Sequence, residues 1–135
     1  RFQLVNLAEK LGEDPRTVLS KIKKLEKAGL IQGYTTFIDL KKLGYQLHKL
    51  CIYLSNYEDA EVKKLLTFLK QNPNTIHIIK SIGSWDVEAE IEAENPELIY
   101  TYIKQLKNNF PETIKRIDLV TIVEEPKLEF FPGNI

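Results

Sequence analysis

The chain has 135 residues, 43% hydrophobic and 28% charged, the proportions of one ordinary folded domain or two small ones. Nineteen basic and nineteen acidic residues cancel, which by itself argues against a strongly electrostatic partner. No apolar run is long enough to span a bilayer, no signal peptide opens the chain, and the single cysteine, Cys51, excludes an internal disulfide; a cytoplasmic location is expected.

The neutral total hides a division. Residues 1–48 carry nine Lys/Arg against five Asp/Glu, whereas residues 49–135 carry ten against fourteen. Opposite signs in two parts of a short chain predict two modules with different partners, the basic one suited to phosphates. A first module over 1–45, linker included, and a second over 46–135 are expected.

Leu4, Leu7, Ala8 and Leu11 recur at helical spacing, and Gly12 ends that helix. Asp14-Pro15 starts the next: the carboxylate caps backbone N–H groups and proline suits the first helical position. Val18, Ile22 and Leu25 form its inward stripe, and Gly29 stops it. Two short helices joined by Gly12-Glu13-Asp14 make a helix-turn-helix pattern. The run from Leu30 to Ile38, with Gly33 inside it, reads as a wing or a strand leading out, and Lys41 to Tyr45 as the linker.

Beyond residue 48 the periodicity changes. Leu50, Ile52 and Leu54 alternate as a strand; Ala60 to Leu69 is an amphipathic helix closed by Asn72-Pro73-Asn74. Thr75 to Ile82 and Asp86 to Ala93 are strands joined at Gly83-Ser84. Asn95-Pro96 opens a helix ending near Asn109, and Ile114 to Val123 is the last strand. The order βαββαβ is that of a ferredoxin-like domain, an antiparallel sheet with both helices on one face. The fold class is therefore α+β, an N-terminal winged helix-turn-helix followed by a ferredoxin-like domain. A small core with one bare sheet face predicts association between chains.

The second helix carries the chemistry. With Val18, Ile22 and Leu25 inward, Arg16, Ser20, Lys23 and Lys27 face the opposite side, flanked by Thr17 and Lys24, with Lys21 on the same helix. Residues 15–28 hold five bases and one acid. Arg, Thr and Ser near a helix N-terminus suit base edges in a major groove; the lysines suit phosphates. A solvated lysine-rich face is the plain alternative, and the paired helices weigh against it.

Leu7-Ala8-Glu9-Lys10-Leu11-Gly12, the run from Thr17 to Ile31, Gly33-Tyr34 and Ile38-Asp39 resemble the Lrp/AsnC family of transcription regulators. Gly83-Ser84-Trp85-Asp86 is similar to that family's glycine-x-aromatic-aspartate turn. The resemblance covers nearly the whole chain. It implies dimers that assemble further, to tetramers or octamers, double-stranded DNA sites of two-fold symmetry, and an amino acid or similar effector at Gly83, Ser84, Trp85 and Asp86, where subunits meet. It also implies a further helix upstream of Arg1-Phe2, without which Leu4, Leu7 and Val18 lack part of their core. Trp85 stands where tyrosine is common.

Asp86, Glu88, Glu90, Glu92 and Glu94 fall at a period of two, so a strand points all five one way. Such a cluster needs cations: Lys80, placed near Glu88 by a tight hairpin, or Lys49, Lys115 or Arg116. Structural pairing, solvation, a bound cation and a cationic effector such as lysine or arginine all remain open. His48 and His77 stand alone, so no metal site is expected, and Cys51 reads as a core residue. No phosphate loop or nucleophile–base pair appears; no catalytic residue and no cofactor is expected. The chain past Glu124, with Phe130-Phe131, is expected to dock on the body or a neighbouring subunit. The rival to a DNA-binding regulator is a small-molecule-sensing or oligomerisation protein without DNA binding; a ferredoxin-like enzyme lacks its ligands here.

Overall fold

The computed structural model describes residues 3–36 and 38–128. Phe37 and the Phe130–Phe131 pair lie outside the described residues. The chain divides into two units, residues 1–38 and 39–135.

The first unit holds α1 (Leu4–Leu11) and α2 (Pro15–Lys27). Gly12 ends α1 at φ 63°, a left-handed conformation open to glycine, and its N–H reaches back to the Ala8 and Glu9 carbonyls. Asp14 caps α2: its Oδ1 accepts from the Arg16 N–H at 2.8 Å, with Pro15 in the first turn. Ala8 and Val18 are buried, Leu4, Leu7 and Ile22 half-buried, but Leu25 is 41% exposed, so the expected inward stripe is graded rather than uniform. The Leu25 carbonyl accepts from both Leu30 and Ile31 and turns the chain out of the helix. Residues 31–36 form no strand, so the wing or strand expected there is not seen among the described residues.

In the second unit a short 3₁₀ turn, Leu40–Leu43, ends at Gly44 with φ 86°. There follow β1 (Gln46–Leu54), α3 (Asp59–Gln71), β2 (Thr75–Lys80), β3 (Val87–Ala93), α4 (Pro96–Asn109) and β4 (Ile114–Thr121). The four strands form one sheet in the order β2-β3-β1-β4, every neighbouring pair antiparallel. This is the ferredoxin-like arrangement expected from the strand and helix order.

Alternation decides the core. Leu50, Ile52 and Leu54 of β1 and Val87, Ala89, Ile91 and Ala93 of β3 point to one side, where Val62, Leu65 and Leu69 of α3 and Ile99, Tyr102 and Leu106 of α4 cover them. Both helices therefore lie on one sheet face. Phe68 fastens them, stacking on Tyr102 with centroids 6.0 Å apart and meeting Phe110 edge-on at 5.5 Å. Asn95 caps α4 by accepting from the Leu98 N–H at 3.1 Å. The other sheet face carries Lys49, Cys51 and Tyr53 of β1 beside Glu88 and Glu90 of β3.

Candidate functional site

On α2 the side chains of Arg16, Thr17, Ser20, Lys21, Lys23, Lys24 and Lys27 are all exposed. Lys21 is partly neutralised: its Nζ donates to Glu13 Oε1 at 2.7 Å. Among the described residues the other four cations make no ion pair, so the helix presents uncompensated positive charge. Asp14 fixes the N-terminal turn through the Arg16 N–H and thereby sets where Arg16 leaves the helix. At the other end Tyr34 donates to Glu26 Oε1 at 2.7 Å, which holds the tyrosine hydroxyl above its usual range and ties the extended segment to α2.

The turn between β2 and β3 is stitched by main-chain and side-chain bonds. The Ser81 N–H donates to the Asp86 carbonyl at 2.9 Å and the Ser81 hydroxyl to the Trp85 carbonyl at 2.8 Å. Asp86 faces β1: its N–H donates to the Ile52 carbonyl at 3.0 Å and its Oδ2 accepts from the Leu54 N–H at 2.8 Å. Tyr57 lies beside it, its hydroxyl raised by burial first and then by the Asp86 charge. Gly83 and Ser84 are exposed and Trp85 is half-buried. A methyl group on Gly83 meets nothing within 4 Å, so close packing is not what places a glycine there. Tyr57 had no signal in the sequence, because only the β1–α3 loop brings it to the turn.

The acidic strand matches expectation in part. Only Glu88, Glu90 and Glu92 belong to β3; Asp86 precedes it and is spent on Leu54, and Glu94 follows it and engages the Tyr45 hydroxyl. Of the cations expected there, Lys49 pairs with Glu88 and Glu90, and among the described residues Lys80 pairs with neither. Lys49 Nζ lies 3.0 Å from Glu88 Oε1 and 2.8 Å from Glu90 Oε1, and the two carboxylates, Glu90 foremost, hold its ammonium charged well above the ordinary lysine range. The register explains the exchange: Lys80 pairs with Val87, so alternation places it on the opposite face from Glu88, while Ile79 stands opposite Glu88. Arg116 lies over the Tyr53 ring at 4.0 Å and pairs with Asp118 at 3.0 Å.

His77 Nδ1 is 3.4 Å from Glu90 Oε2, an ion pair only when the ring is protonated. His48 is buried on the helix side, 3.1 Å from the Thr121 hydroxyl, and burial lowers its pKa. Cys51 is buried on the acidic side, where burial and then Glu88 and Asp118 raise its thiol pKa, so it is not an activated nucleophile. Among the described residues no group of three His, Cys, Asp or Glu is placed to hold a metal ion, and no helix is long and apolar enough to cross a membrane.

No protein-family model matches the chain. Individual relatives do. An uncharacterized HTH-type transcriptional regulator of Pyrococcus furiosus is 27% identical over 126 residues, covering 93% of this chain and 81% of its own length. The transcriptional regulator AzlB of Bacillus subtilis is 31% identical over 100 residues, 73% of this chain and 64% of its own. The HTH-type transcriptional regulator LrpC of the same organism is 26% identical over 105 residues, 78% and 72% of the two chains. Solved structures share the fold. An AsnC family transcriptional regulator from Agrobacterium tumefaciens superposes with a TM-score of 0.82 at 15% identity, covering 98% of this chain and 86% of that one. A transcriptional regulator from Neisseria meningitidis in complex with L-Met gives 0.83 at 14% identity, 96% and 84% covered. These relatives are regulators rather than enzymes, and their likeness runs through both units. Across both units the chain is similar to HTH-type transcriptional regulators, LrpC among them, and its fold is that of an AsnC family regulator.

Proposed function

We propose that the chain binds double-stranded operator DNA through the exposed side of α2, and that a small effector at the Gly83–Asp86 turn controls it. The observation that carries the DNA reading is the concentration of Arg16, Lys23, Lys24 and Lys27 on one exposed helix face, none of them paired among the described residues. Lys23, Lys24 and Lys27 contact phosphates in this reading, while Arg16, Thr17 and Ser20 reach base edges. Lys21, held by Glu13, contributes less.

Homodimers, or tetramers and octamers built from them, present paired α2 helices about one DNA turn apart, ~34 Å. The sheet face away from the helices supports association: Ile79 and Val120 are substantially exposed there beside the Lys49–Glu88–Glu90 cluster. An amino acid is the effector class favoured by the L-Met complex of the Neisseria relative. It shifts DNA affinity only as far as it prefers one assembly over another.

Fluorescence anisotropy of the protein with DNA from upstream of its own gene, across a salt series and with an amino-acid panel, tests both parts. Binding that outcompetes random DNA and weakens steeply with salt supports the regulator. A folded, multimeric protein that binds no DNA with or without amino acids overturns it in favour of the sensor reading.

A further inference from the structure

The helix-covered side of the second unit contains a cleft that none of the functions above uses. It opens where the C-terminal end of α3 meets the N-terminal end of α4, at the end of the β2–β3 pair remote from the Gly83–Asp86 turn, and its volume is about 520 Å³. That is the size range of small-molecule sites. Phe68, Ile91, Ala93 and Ile99 supply apolar walls.

Polar groups at its base are unsatisfied. Tyr102 lines the cleft and is only 7% exposed, yet its hydroxyl has no hydrogen-bond partner; nor has the buried Thr75 hydroxyl close by. Burial raises the Tyr102 hydroxyl, and hydrogen bonding toward the Thr75 and Asn72 side chains opposes that rise, so the three form one polar cluster whose contacts fall short of well-formed hydrogen bonds. Poorly satisfied buried hydroxyls are costly in a finished core, and here they leave hydrogen-bonding capacity at the base of the cleft.

The charge at the mouth selects the ligand. Glu97 is the single charged side chain of the lining, is exposed, and makes no ion pair among the described residues. Gln71 and Asn72 bring the end of α3, the negative pole of that helix, to the cleft, where the Asn72 carbonyl accepts from the Thr75 N–H at 3.0 Å. The opposite pole, at the start of α4, is already engaged by the Asn95 cap and by Glu97 itself. No basic residue lines the cleft, so a phosphate or carboxylate finds no cation there.

We propose that this cleft binds a small organic amine with an apolar body, its ammonium between Glu97 and the end of α3 and its body against Phe68 and Ile99. The site is separate from the effector turn and does not depend on DNA binding.

The test uses the full chain, ¹⁵N-labelled, titrated with 2-phenylethylamine and with 3-phenylpropanoate, which share the phenylethyl body but carry opposite charge. Amide shifts at Asn72, Thr75, Leu98 and Tyr102, with the amine bound about five-fold or more tighter than the acid, are expected, since one partly exposed charge contributes roughly that factor. Glu97→Gln is expected to bring the two probes close to parity, and Thr101→Trp, at an exposed rim position, to block both. Shifts confined to residues 83–86, no shifts at all, or equal binding of both probes to the unaltered chain overturn the proposal.

Discussion

The Asp86 carboxylate accepts the Leu54 N–H at 2.8 Å, so the last residue of β1 is secured by a side chain from the start of the neighbouring strand. At this point β1 leaves the sheet and its ladder with β3 has ended at the Ile52–Val87 pair. The turn proposed to hold the effector leaves the edge strand β2 and is anchored at its Asp86 end to the inner strand β1.

Asp86→Ala leaves the Leu54 N–H without its charged acceptor and is expected to destabilise the chain by about 1.5–3 kcal/mol. Asp86→Asn, which keeps an acceptor oxygen, is expected to lose less. Urea denaturation followed by circular dichroism measures both; equal stability of Asp86→Ala and the unaltered chain refutes the role.

Lys49 stands between Glu88 and Glu90, with side-chain exposures of 31%, 10% and 17%. Lys49→Met leaves two largely buried carboxylates side by side on β3 without their cation, a loss expected at about 2–3 kcal/mol. Adding Glu88→Gln and Glu90→Gln to Lys49→Met is expected to recover most of it. If the triple variant is no more stable than Lys49→Met, mutual repulsion is not the cause.

Burial holds the His48 imidazole below its ordinary 6.5. The unfolded chain then takes up a proton at a pH where the native chain does not, so this residue makes stability fall as pH drops through 6.5. His48→Gln removes the titration and is expected to flatten the decline between neutral and mildly acid pH. Parallel slopes for the two proteins contradict this.

Glu92 titrates in the opposite sense. Burial raises its carboxyl above the ordinary 4.5, and its Oε2 is buried without a hydrogen-bond partner. The native chain holds this proton more tightly than the unfolded chain, so stability is lost as pH rises through the native pKa. Glu92→Gln is expected to be more stable than the unaltered chain at neutral pH, the advantage vanishing below 4.5. Thermal melts at both ends of that range decide it.

On α2, Lys23→Ala and Lys24→Ala are each expected to lower the slope of log K against log salt by about 0.9, the value of one released phosphate contact. Arg16→Ala is expected to cost about 1–3 kcal/mol on the operator and little on random DNA. Lys21→Ala, already paired with Glu13, is expected to change the slope least. Anisotropy titrations on operator and random DNA distinguish a base contact from a phosphate contact by which of the two is affected.

Local physics made most of the architecture legible in the sequence. Asp14-Pro15 and Asn95-Pro96 announce helix starts because capping and proline geometry act within one turn, and both are helix starts in the structure. The helical stripe of α3 and the alternation of β1 and β3 carry their own periodicity, which is why the βαββαβ order was readable. Helical spacing places Arg16, Ser20, Lys23 and Lys27 on one side of α2 without knowledge of neighbours, and all four are exposed.

Register and long-range assembly were not legible, because they depend on which residues of distant segments come opposite one another. A single-residue difference in pairing put Lys80 opposite Val87 rather than Glu88 and left Lys49, thirty-nine positions from Glu88 in the chain, to neutralise the acidic face. Asp86 looked like one more member of an acidic stripe, yet the geometry at the end of β1 turned it to Leu54. The cleft between α3 and α4 has no sequence signature at all: Phe68, Ile91, Glu97 and Tyr102 become neighbours only when two helices pack on one sheet. The sequence by itself determined the elements, their faces and the division of charge; tertiary packing alone decided which charges meet, which polar groups stay unsatisfied and where a cleft remains, since those depend on contacts between segments that no local pattern encodes.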